Sequence, residues 1–150
     1  MHRHWRYLGL VFLGGTVGTA AREGLGLLLP PVDLASGTQL PLTTLGINLA
    51  GALLLGLLLE VLVRRGLDSG GRLTVRLLLG TGLLGGFTTY SALATDSVLL
   101  IHGGNVGLAL AYALGTVLLG GMATWAGIVL GAALHRREAG GAASAREENG

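Results

Sequence analysis

Four long apolar stretches, separated by short polar punctuation, organise this chain. The first covers Tyr7 to Leu29, and its uninterrupted apolar part runs from Leu8 to Ala21, ahead of Arg22 and Glu23. The second, Leu42 to Leu59, has 18 residues without a charge. As a helix it is about 27 Å long, just enough to cross the hydrocarbon of a bilayer. The third runs from Leu77 to Ile101. The fourth, Val106 to Leu134, holds 29 uncharged residues, more than a bilayer needs, which predicts tilt or an overhanging end. The pattern predicts an all-α membrane protein with four transmembrane helices. Residues 1–6 form a cytoplasmic N-terminus, 7–134 the membrane domain and 135–150 a cytoplasmic tail.

Turn chemistry marks the connections. Pro30-Pro31 and Pro41 bracket the first loop, which holds Asp33 and Ser36-Gly37. Arg64 to Arg72 makes a charged, glycine-containing second loop, and His102-Gly103-Gly104-Asn105 a tight third turn. Beyond Arg136-Arg137, the stretch Ala139 to Gly150 is small, polar and aperiodic, and reads as disordered.

One heptapeptide breaks the apolar rule. Gly85-Gly86-Phe87-Thr88-Thr89-Tyr90-Ser91 lies inside the third stretch. Each glycine costs a helix about 1 kcal/mol relative to alanine, and the hydroxyls compete for backbone groups. The third helix is therefore predicted to break at Gly85-Gly86. Within a bilayer, non-helical backbone persists only where it is buried in protein or lines a polar cavity. The interruption points to a binding or conduction site at mid-membrane depth.

Composition sharpens this picture. Apolar residues make up 51% of the chain and charged residues 12%, about half the charge of a soluble domain, and mean hydropathy is +0.67. Without cysteine, disulfides and thiolate metal sites are excluded. All ten basic residues are arginine. They gather at segment ends rather than along one face with interleaved aromatics, which gives no support to nucleic-acid binding. In a four-span topology Arg3, Arg6, Arg64, Arg65, Arg72, Arg76, Arg136, Arg137 and Arg146 share one side, and only Arg22 lies toward the other. By the positive-inside rule this predicts a multi-pass protein of the cell membrane with both termini cytoplasmic.

Small residues recur at four-residue spacing in every stretch: Gly14 and Gly18, Ala52 and Gly56, Gly82 and Gly86, Gly127 and Gly131. In lipid such pairs let helix backbones approach closely. Four helices are few to enclose a pore, so a conducting function requires a second subunit. Polar groups within the spans are neutral. Asn48 lies well inside the second helix, Thr88, Thr89, Tyr90 and Ser91 bring four hydroxyls to the break, and Tyr112 and Thr116 share a face of the fourth helix. No acid or lysine occupies the centre of a span; Asp96 and Glu60 lie toward the ends of theirs. Neutral donors can replace the water around a small anion without trapping it, whereas proton-coupled antiport calls for an embedded carboxylate.

Asn48 within Thr44 to Gly51, the Gly-Gly-x-Thr-Thr-x-Ser element, Arg22 after its glycine-rich helix, and Tyr112 with Thr116 resemble the small fluoride channels called Fluc or CrcB. The resemblance covers roughly residues 7–134. It implies an antiparallel dimer with two fluoride pathways, each subunit serving passive export of fluoride from the cytoplasm. It implies a pore lined by Asn48, Tyr90, Leu93, Tyr112 and Thr116, with Arg22 at a vestibule. Backbone carbonyls of Gly85 and Thr88 would hold a structural, untransported sodium ion on the dimer axis. Two departures stand out: the family places phenylalanine where this chain has Tyr90 and Leu93, and Gly120 replaces a hydroxyl one turn after Thr116. The arginine asymmetry and Leu93 together favour a heterodimer with a paralogue of opposite charge bias over a homodimer.

Rival readings are weaker. Gly80-x-Gly82-x-x-Gly85 matches a dinucleotide fingerprint only formally, since no strand precedes it and no acid follows at the required distance. A four-helix multidrug exporter needs a carboxylate deep in its first helix, and Glu23 is at the far end. A non-conducting assembly subunit is the remaining alternative. No nucleophile, base and orienting group converge as an enzyme requires.

Overall fold

The computed structural model describes residues 2–29, 31–33, 38–64, 66 and 70–147, with side chains described for residues 4–136 among them. Ser36-Gly37, Arg65, Leu67 to Ser69 and the side chains of Arg3, Arg137 and Arg146 lie outside the described residues. The chain order is α1 (His2–Leu28), a short hairpin of β1 (Val32–Asp33) and β2 (Gln39–Leu40), then α2 (Leu42–Arg64). The third apolar stretch is composite: α3 (Gly71–Val75), a π-helical segment (Arg76–Leu84), α4 (Gly85–Phe87) and α5 (Tyr90–His102). The last element is α6 (Val106–Glu147).

Among the described residues, three helices are long and apolar enough to cross a membrane: Leu42–Arg64, Gly71–His102 taken through its internal elements, and Val106–Arg136. Their mean hydropathies are 2.1, 1.3 and 1.9. The first helix has the length, at 27 residues, but Arg22 and Glu23 interrupt its apolar run. The protein is thus a predominantly helical, multi-pass membrane protein.

Local chemistry sets the helix ends. The Pro41 carbonyl accepts the Leu45 amide at 3.2 Å as α2 begins, and Arg64 pairs with Glu60 one turn earlier as α2 ends. At the α5–α6 turn Gly104 takes φ 77°, a left-handed conformation open to glycine, and the Asn105 amide closes onto the Leu100 carbonyl at 2.9 Å. Asn105 Nδ2 also donates to Thr38 Oγ1 at 3.2 Å, tying this turn to the loop between α1 and α2.

Two helix pairs are held by backbone-to-backbone approach. In α1, a Cβ built at Gly14 or Gly18 would collide with the carbonyls of Leu78 and Leu83 in the π-helical segment, and one built at Gly82 would stand 2.9 Å from Val11 O and 3.0 Å from the Gly14 Cα. Gly86 abuts the Gly15 backbone in the same way. On the other side α2 packs on α6, where Gly56 faces Thr124, Gly127 faces Leu53 and Gly131 meets the Glu60 side chain. Dispersion between closely fitted backbones replaces the hydrophobic effect, which lipid does not supply between helices. A small core of Leu93, Leu100, Ala109 and Tyr112 joins α5 to α6.

The structure changes three expectations. Gly85 and Gly86 are helical, and the departure from helix falls two residues later: Thr88 has φ −77° and ψ 156°, Thr89 φ −149° and ψ 117°. Helical dihedrals hold where glycine permits close packing; the side chains around the next residues end the helix instead. The nine-residue π-helical segment at Arg76–Leu84, where α1 crosses, has no counterpart in the sequence pattern. Finally, α6 continues to Glu147, so the segment from Ala139 to Glu147 is helical rather than aperiodic, in keeping with its content of alanine, arginine and glutamate.

Candidate functional site

Thr89 is the centre of the interruption. Its amide donates to Asn48 Oδ1 at 2.8 Å, and Asn48 Nδ2 donates back to the Thr89 carbonyl at 3.0 Å. The side chain of one α2 residue therefore satisfies both backbone groups of an extended residue that is only 8% exposed. Buried backbone groups need such partners where lipid and protein exclude water. Thr89 Oγ1 in turn accepts the Ala92 amide at 3.1 Å and caps α5, while sharing a 3.0 Å hydrogen bond with Ser91 Oγ. On the α4 side, the Thr88 amide and Oγ1 both donate to the Leu84 carbonyl, at 3.0 and 2.9 Å.

These bonds have a consequence for two carbonyls. In an unbroken helix the amide of Thr89 would bond the Gly85 carbonyl, and the amide of Ala92 the Thr88 carbonyl. Both amides are instead taken by side-chain oxygens, of Asn48 and Thr89 respectively. The Gly85 and Thr88 carbonyls thus lose their helical donors. A hard oxygen set of this kind suits an alkali cation, and Gly85 lies on the exposed face of the chain.

A cavity of about 230 Å³ opens beside the clamp, lined by Arg22, Thr43, Thr44, Thr89 and Asp96 among others. Arg22 pairs with Glu23 at 3.3 Å, and its Nε is buried with no hydrogen-bond partner among the described residues. Asp96 also lines a neighbouring cavity of about 480 Å³ with Gln39 and Asn105. Its Oδ2 accepts a 3.2 Å hydrogen bond from the Tyr112 hydroxyl. The arrangement brings the Arg22–Glu23 pair and the hydroxyls of Thr43, Thr44 and Thr89 to one cavity, with the Asp96 carboxylate lining both that cavity and its neighbour.

The family follows from comparison. The family described as CrcB-like protein, Camphor Resistance (CrcB), matches residues 9–128. The chain belongs to it. It is 49% identical over 134 residues to the fluoride-specific ion channel FluC 2 of Leifsonia xyli, covering 89% of each protein. It is 49% identical over 107 residues to FluC 1 of Cutibacterium acnes, covering 71% of this chain and 72% of that one. Against FluC of Thermus thermophilus it is 43% identical over 129 residues, covering 86% of this chain and 97% of the relative.

Within this member of the family the expected site residues separate into groups. Asn48 and Thr88 meet around Thr89, and Arg22 shares a cavity with Thr89. Leu93 and Tyr112, at 7% and 8% exposure, belong to the α5–α6 core. Thr116 is buried one turn from Tyr112 and donates to the Tyr112 carbonyl at 2.7 Å. Tyr90 stands apart, 80% exposed on the outside of the single chain. Two residues of the site carry more than the sequence assigned them. Thr89 is the clamped residue, signalled only by threonine's preference for helix N-caps. Asp96 is the single charge between Leu77 and Ile101, and the fold brings it to a cavity wall shared with Arg22 and within hydrogen-bond reach of Tyr112.

Proposed function

We propose that this chain is one subunit of a passive fluoride channel that exports the ion from the cytoplasm. The observation that carries the reading is the Asn48–Thr89 clamp, which keeps a helix interrupted in mid-span beside an arginine-mouthed cavity, in a chain whose relatives are named as fluoride-specific channels. Arg22 draws an anion to the cavity; its partner Glu23, at 70% side-chain exposure, is heavily screened by solvent. Asn48 spends one Nδ2 hydrogen on Thr89 and keeps a second for the ion. The Thr116 hydroxyl, bonded internally, exchanges a carbonyl for the ion as it passes. Such an exchange replaces hydration without the deep well that a full positive charge would create.

The chain acts as part of an antiparallel dimer in which α1 supplies the fourth transmembrane helix. Supporting this, Tyr90 and Gly85 are exposed beside the interruption in the single chain. Leu93 lines the same path from within the α5–α6 core. The carbonyls of Gly85 and Thr88, with their helical donors diverted, supply the ligands for sodium. Bound there, sodium adds a fixed positive charge in a dry interior, favouring a passing anion. The arginine bias places both termini in the cytoplasm and fixes one orientation, so the partner is a paralogue of opposite bias; the numbered names of two relatives accord with paired genes.

Fluoride efflux from liposomes tests the function, with the chain alone and then with a paralogue of opposite arginine bias. The reading expects efflux without an imposed proton gradient and exclusion of chloride. Strict dependence on a proton gradient would transfer the function to Asp96 and overturn it. Tags at both termini, probed in intact cells, test the assembly: labelling on both faces of the membrane would make the homodimer the better description.

A further inference from the structure

We infer that Asn48 is a positioning residue for the cation site, acting through the backbone of Thr89 in addition to lining the anion path. This inference rests on the sodium reading above. What links Gly85 and Asn48 is one amide, the Thr89 N–H. The Thr89 N–H can bond either the Gly85 carbonyl, which continues the helix, or Asn48 Oδ1, which interrupts it, and the structure has it on Asn48 at 2.8 Å. The return bond from Nδ2 to the Thr89 carbonyl, at 3.0 Å, fixes the extended conformation that keeps the amide turned away. An amide side chain is suited to this because it both accepts and donates. Thr89 Oγ1 repeats the device on the next carbonyl by holding the Ala92 amide at 3.1 Å, away from Thr88.

The geometry leaves little freedom for a substitute. Gly51, one turn beyond Asn48 on α2, lies against the Thr88 methyl, so that a Cβ there would overlap it. α2 is therefore seated on the interruption at two successive turns, and the clamp is aimed by packing as well as by hydrogen bonding. One residue thus touches the anion path with its free amide hydrogen and sets the cation ligands with its carbonyl. A change at Asn48 should move cation dependence and fluoride passage separately, according to which half of the amide survives.

Purified channel in detergent provides the test, with melting temperature measured in sodium and in N-methylglucamine at equal ionic strength, alongside fluoride efflux. The wild type is expected to melt about 4 °C or more higher in sodium, the scale set by ligand linkage for a domain of this size. Asn48→Asp retains an acceptor for the Thr89 amide in either protonation state and, once ionised, has no donor left for the anion. It should keep the sodium increment while its efflux falls at least tenfold. Asn48→Leu offers no acceptor, and Thr89→Val none for Ala92, so both should lose the increment, whereas Thr89→Ser should keep it. The increment, not the absolute melting temperature, is the readout, so general destabilisation by leucine does not mimic the result. If Asn48→Leu melts lower in both salts but retains the wild-type increment, the side chain is only structural and the inference is wrong. If the wild type itself shows no increment, the sodium reading fails and takes the positioning role with it.

Discussion

Gly14 and Gly15 are neighbours on α1 with opposite surroundings, and replacing each by alanine isolates the energetics of backbone approach. A Cβ at Gly14 would overlap the Leu78 carbonyl and stand 2.8 Å from the Leu83 nitrogen and 3.0 Å from the Gly82 Cα. All three are backbone atoms, and ordinary contact begins near 3.4 Å. No side-chain rotation relieves the clash, so α1 must move off the π-helical segment by more than half an ångström. Displacement on that scale forfeits a quarter to a half of each dispersion well along the seam, and overpacking of this kind costs about 1–3 kcal/mol. At Gly15 the nearest atom to a built Cβ is the Gly82 oxygen at 3.9 Å, an ordinary van der Waals contact that displaces nothing. Both changes gain the same helix propensity, about 1 kcal/mol, so that term cancels in the comparison. Gly14→Ala should be less stable than Gly15→Ala by about 1–3 kcal/mol, or roughly five- to 150-fold in the folding equilibrium. Reversible unfolding in mixed detergent micelles, followed by circular dichroism, reads the difference directly. Equal stabilities for the two variants would refute the account of α1 packing by backbone contact.

Further expectations follow from single contacts. A Cβ at Gly85 meets nothing closer than the Gly80 oxygen at 3.9 Å within its own chain, so Gly85→Val should still fold while fluoride efflux is abolished at the shared face. Retained efflux would remove the cation role of Gly85. Thr88→Ala loses the Oγ1 bond to Leu84 but keeps the backbone bond at 3.0 Å; unfolding measurements should find a cost of about 1 kcal/mol with efflux largely preserved. Tyr112→Phe leaves the ring in the α5–α6 core and removes the hydroxyl's 3.2 Å bond to Asp96 and its hydrogen bond with Thr44. It should cost about 1–3 kcal/mol, against about 3–5 kcal/mol for Tyr112→Ala, which also empties the core. A comparable loss for both would mean that the hydroxyl, not the ring, holds the helices together.

What the sequence determined by itself is whatever depends on composition over a helix length. The apolar runs mark the membrane elements because exposing them to water costs more than any local preference can offset. Glycines at Gly14, Gly18, Gly82, Gly86, Gly56 and Gly127 identify the contact seams, since only a missing side chain permits backbone contact there. The position and meaning of the interruption were decided elsewhere. Local propensity put it at Gly85-Gly86, yet those residues are helical, because glycine merely lowers the cost of leaving a helix and does not compel it. What compels it is a competing acceptor, Asn48, 41 residues away in sequence and 2.8 Å away in space. The same holds for Arg22 and Asp96, which share a cavity wall only once α1 and α5 are in place, and for Leu93, buried against α6 rather than facing outward. Hydrogen-bond competition between distant segments is a property of the folded arrangement, and no window of neighbouring residues contains it.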